Sequence, residues 1–160
     1  MSAFRLLRPS VGLALCAVFL ALPAQGADAG KKNGPVLLSP SDGDRIPRPE
    51  VDANCPTGQA CRKIFVIGRV AAGQTPFLAV TPLGASPQRI WIQPPIVATK
   101  PDGTFDGFVY LGTDREGVGE KFSIFVFGCP QKDRFKEADL LTELPIDCAV
   151  SPPVTVLRLR

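Results

Sequence analysis

Proline limits what this chain can build. It occurs 17 times in 160 residues, against a usual share of about 5%. Its ring fixes φ and removes a backbone donor, which bars it from helix interiors and central strands. Only short apolar runs lie between the prolines. Seven of them are expected to be strands: Val36–Leu38, Lys63–Val70, Phe77–Val80, Arg89–Gln93, Thr104–Leu111, Lys121–Phe127 and Val154–Leu159. Alternation supports several. Phe105, Gly107, Val109 and Leu111 share one face, and Ile90 and Ile92 lie opposite Trp91. Lys63–Val70 is apolar on both faces, which predicts a strand covered on both sides. Residues 135–141 can form about two helical turns, with Phe135, Ala138 and Leu141 on one face. Strand following strand without intervening helices predicts one antiparallel β-sandwich over residues 35–160, with one short helix before the last strand.

The N-terminus carries a different signal. Arg5 and Arg8 precede a twelve-residue apolar run, Val11 to Leu22, which ends in Ala24-Gln25-Gly26-Ala27. A basic start, a short apolar core and small residues at a cleavage site read as a secretory signal peptide over residues 1–26. Cleavage is expected after Gly26, or after Ala29, with residues 27–34 as a flexible leader. The run is short of the roughly 20 residues a membrane span needs, so no integral membrane span is expected. Cys16 follows Leu15 where lipidation wants a small residue, and the apolar run continues past it. The expected location is periplasmic or secreted, outside the reducing cytoplasm.

Removing residues 1–26 takes away two arginines and no acid, which leaves 16 basic against 15 acidic residues and a net charge of +1. Such a balance offers no case for a nucleic-acid partner, which calls for a basic stripe or cluster. Histidine is absent. Ser-His-Asp and Cys-His catalysis therefore go, as do the imidazole ligands usual for catalytic zinc. No enzyme activity and no cofactor are expected.

Four cysteines remain after Cys16: Cys55, Cys61, Cys129 and Cys148. They allow three pairings. Local closure favours Cys55–Cys61 and Cys129–Cys148, each of which would restrain a loop; Cys61–Cys129 would instead tie an early strand to a late one. The spacing lacks the paired C-x2-C knuckles of zinc sites, so disulfides are expected and metal is not. Asp42 with Asp44, and Asp102 with Asp106, read as turn formers in preference to calcium ligands. The aromatic side chains mostly read as core filling. Trp91 and Tyr110, with Arg69 and Arg89 beside their strands, are the candidate binding residues, a platform for a protein, sugar or envelope component.

The order of motifs is also informative. Ser39-Pro40-Ser41-Asp42-Gly43 opens the domain, Asp102-Gly103-Thr104-Phe105 follows Ile90-Trp91-Ile92-Gln93, and Tyr110-Leu111-Gly112 precedes a late strand. Over residues 36–158 this resembles the immunoglobulin-like sandwich domains of bacterial exported and envelope proteins. Phe105 stands where the pattern often has tryptophan, and the Cys55–Cys61 segment is an insertion. The resemblance implies a spacer, adhesive or recognition module without catalytic residues. The expected function is a non-catalytic binding or assembly module acting through a sheet face or edge. The alternative is a soluble periplasmic carrier or inhibitor that binds a small ligand or a hydrolase.

Overall fold

The computed structural model describes residues 34–53, 55, 60–86 and 88–160. The expected signal segment, both cleavage points and residues 27–33 of the leader lie outside the described residues. Eleven strands follow in chain order: β1 (Val36–Ser39), β2 (Arg45–Ile46), β3 (Glu50–Asp52), β4 (Cys61–Arg69), β5 (Thr75–Pro82), β6 (Ile90–Ile92), β7 (Thr104–Thr113), β8 (Lys121–Cys129), β9 (Leu140–Leu141), β10 (Ala149–Val150) and β11 (Val154–Arg158). Seven answer the expected runs. The four others, β2, β3, β9 and β10, are two or three residues long and exist only through their partners.

Two sheets form. In the first, β4 pairs with β7 on one side and with β1 and β3 on the other. In the second, the order is β2-β11-β8-β5-β6-β9, with β10 also on β8. Every pairing of named strands is antiparallel except that of β2 with β11. Alternation along the strands sends one side chain in two inward. Ile64, Val66, Phe105, Val109 and Leu111 of the first sheet meet Leu78, Val80, Phe122, Ile124, Val126 and Val156 of the second in one buried cluster. That is the two-layer packing of a β-sandwich. Gly68 is required there, because a Cβ would overlap the Phe105 ring.

A second cluster lies on the outer face of the second sheet. Phe77, Ile90, Ile92, Phe125, Phe127 and Phe135 are buried together, with Leu141, Cys148 and Val150 against them. Phe135, from the segment after β8, stands edge-on to Phe77 at 5.3 Å between ring centroids, an arrangement worth about 1 kcal/mol beyond burial. Cys129–Cys148 ties this segment down, and Cys55–Cys61 closes the loop before β4. The rival pairing Cys61–Cys129 is not formed.

Two expectations are corrected. The first is the helix over 135–141, since no helix occurs among the described residues. Asp139 accepts the Lys136 N–H at 2.8 Å on its carboxylate and donates its own N–H to the Lys136 carbonyl at 3.1 Å. With Ala138 at φ 66°, this is a tight turn. A seven-residue helix carries an unfavourable nucleation cost, and Asp139 offers the backbone a local alternative. Leu140–Leu141 then pairs with β6. The second correction is the doubly covered strand. β5 and β8 hold that position, under the segment of residues 130–148. β4 has one open face, on which Phe65 is 68% and Ile67 41% exposed.

Candidate functional site

Ile90 and Ile92 are held in the outer cluster, so alternation turns Trp91 the other way, where it stays 38% exposed. Tyr110 comes from β7, in the other sheet. Both line one cleft of about 470 Å3. Val80, Pro82, Ile92, Pro94 and Phe122 supply its apolar lining, and the Cys55–Cys61 bridge borders it. Glu116, Glu120 and Glu137 also line it, and no arginine or lysine does among the described residues.

Gln93 builds this geometry. It is 6% exposed. Its Nε2 donates to the Trp91 carbonyl at 3.0 Å, and its Oε1 accepts the Tyr110 N–H at 2.7 Å. One side chain thus ties the chain just after β6 to the edge of β7 that β4 does not use. Pro94 and Pro95 end the strand so that Gln93 turns inward.

The Tyr110 hydroxyl donates to Asp52 Oδ2 at 3.2 Å. Burial, then the negative charges of Asp52 and Glu137, push its pKa up to about 12. Lys63, paired with Tyr110 across the strands, lies 3.5 Å from both Glu50 and Asp52. Its ammonium also sits 5.3 Å from the Phe108 ring centroid and 5.9 Å from that of Phe65. Phe108 in turn meets Tyr110 edge-on at 5.6 Å. Tyr110 therefore joins the cleft to the open face of the first sheet, which β4 and β7 build from Lys63, Phe65, Ile67, Phe108 and Tyr110.

Arg69 and Arg89 do not line the cleft. Arg69 is exposed at the end of β4, on the same open face as Phe65 and Ile67 and about 20 Å along the strand from Lys63. Arg89 is exposed before β6. The acidic turns act on the backbone. Asp42 accepts the Thr155 N–H, Asp44 that of Ser41, and Asp102 that of Thr104. The Thr104 N–H holds the Asp102 carboxyl below its usual range.

Gln93 and the three glutamates escaped sequence reasoning. Gln93 reads as the polar last residue of a strand that two prolines stop, and Glu116 and Glu120 sit in a polar, glycine-bearing stretch. No periodicity marks them, because they converge from separate elements. Compared with known proteins, the chain matches no family model, no curated protein and no solved structure.

Proposed function

We propose that this chain is an exported, non-catalytic binding or assembly module of the bacterial cell envelope. It recognises a protein or envelope component through the open face of its first sheet and the adjoining cleft. The observation that carries this reading is the exposed pair Phe65 and Ile67 beside Phe108 and Tyr110, with Trp91 in the adjoining cleft. Apolar side chains grouped on a sheet face are the usual mark of an interaction surface. An immunoglobulin-like identity is supported by strand order: β1, β4 and β7 in one sheet, β5, β8 and β11 in the other. Two disulfides fit an oxidising compartment and so support a periplasmic or secreted location.

The test is affinity capture from envelope extract with the disulfide-bonded chain and with a Phe65→Asp/Ile67→Asp variant. Both positions are exposed, so the variant should fold. The wild type is expected to retain a partner that the variant loses; identical retention by both would overturn the reading. The cleft favours a second reading, a carrier of a small ligand with an apolar body and a cationic end. Trp91 is the sole tryptophan, so its fluorescence reports occupancy directly. An unchanged spectrum with alkylammonium probes removes that reading.

A further inference from the structure

The geometry points to a second site, independent of the cleft: a cavity where β4, β11 and the loop between β7 and β8 meet, built to bind a phosphomonoester group. Arg48, Arg62, Arg115, Arg158 and Arg160 line it, in a volume of about 550 Å3. Asp114 is the one acidic side chain among the described lining residues. Five arginines thus line the cavity with one acidic side chain among the described residues. A net charge of +1 spread over residues 27–160 gave no sign of such a cluster.

Two of the arginines are fixed in place. Arg62 Nε lies 2.6 Å from Asp114 Oδ1, and its Nη1 donates to the Pro49 carbonyl at 3.2 Å. Arg158 is 2% exposed. Its Nη1 donates to the carbonyls of Leu111, at 2.6 Å, and Glu116. The loop is wound tightly around this guanidinium, since a Cβ on Gly112 or Gly117 would crowd both the loop backbone and Arg158 Nη1. Yet the buried Arg158 Nε has no hydrogen-bond partner among the described residues. A buried cation held only by neutral carbonyls is expensive. Burial and the nearby charge of Arg62 both push the Arg158 pKa down, while Asp114 and Glu120 oppose them. Arg48, Arg115 and Arg160 are exposed around these two.

A dianion between these groups would relieve the like-charge contact. Phosphate fits better than carboxylate. It carries up to two charges and three terminal oxygens, which guanidinium forks bind in bidentate fashion. The volume lies in the range of small-ligand sites and leaves room for the group that bears the phosphate. That group can be a soluble metabolite or a lipid.

The experiment titrates the disulfide-bonded chain with glycerol phosphate by calorimetry. In parallel, it is sedimented with phosphatidylcholine vesicles containing or lacking phosphatidic acid. Saturable binding of glycerol phosphate supports the site with a soluble source. Sedimentation only with phosphatidic acid, displaced by glycerol phosphate, supports it with a lipid source. In either arm Arg48→Gln/Arg115→Gln, which changes two exposed residues, should weaken binding about tenfold or more without moving the unfolding midpoint. Arg158→Gln, where it folds, should weaken it further. No binding of either probe below about 10 mM, a Kd too weak for a built site, would overturn the proposal. So would unchanged binding by the double variant. Affinity for oligonucleotides that grows with their length would replace it with an extended polyanion face.

Discussion

At the residue scale, single polar side chains determine how the sheets meet at the cleft. Gln93 satisfies the Tyr110 N–H on the free side of β7. Gln93→Leu leaves that donor unpaired and should cost about 1–3 kcal/mol in urea unfolding. Tyr110 is the sole tyrosine, so tyrosinate absorbance follows it alone. Its midpoint is expected near 12, above the ordinary 10. The folded pKa is the higher one, so the proton is held more tightly in the folded state. This contribution to stability is full below pH 10 and is lost as pH rises from 10 to about 12. Asp52→Asn should move the midpoint down, and a midpoint unchanged by that variant would separate Asp52 from the effect. Trp91 and Tyr110 could be picked from sequence by residue type and alternation. Gln93 could not, because its role depends on a backbone donor 17 positions away.

At the element scale, long strands were legible and short ones were not. β7 and β8 carry enough alternating or continuous apolar residues to be read directly. β2, β3, β9 and β10 owe their geometry to the strands they lie against. β4 and β8 look alike in sequence, and only the segment of residues 130–148 distinguishes them by covering one and leaving the other open. That segment is held by Phe135 at its centre and by Cys129–Cys148 at its ends. Cys129→Ala/Cys148→Ala should lower stability by about 3 kcal/mol, as expected for a closed loop of this size. Phe135→Ala should cost about 3–5 kcal/mol. Both are read from chemical denaturation. A loss under 1 kcal/mol for Phe135→Ala would mean that the segment does not seal the second sheet.

At the scale of the whole molecule, the fold sorts charges that the chain mixes. Glu116, Glu120 and Glu137 border the Trp91 cleft, while five arginines from positions 48 to 160 gather in the other cavity. The β7–β8 loop contributes to both, with Glu116 in one and Arg115 in the other. Binding at the arginine cavity should weaken steeply with added salt, since the rim charges are solvent-exposed. A salt-independent affinity would mean that the rim arginines play no part. The proline pattern and the alternating runs determined a small β-sandwich, because each is a local rule acting within a few residues; the cysteine spacing favoured local disulfides but left three pairings open. The tertiary structure alone decided which strand stays open, that residues 135–141 form a turn and a short strand instead of a helix, and where the charged groups meet. Those outcomes depend on burial and on contacts across tens of residues, and no local pattern records them.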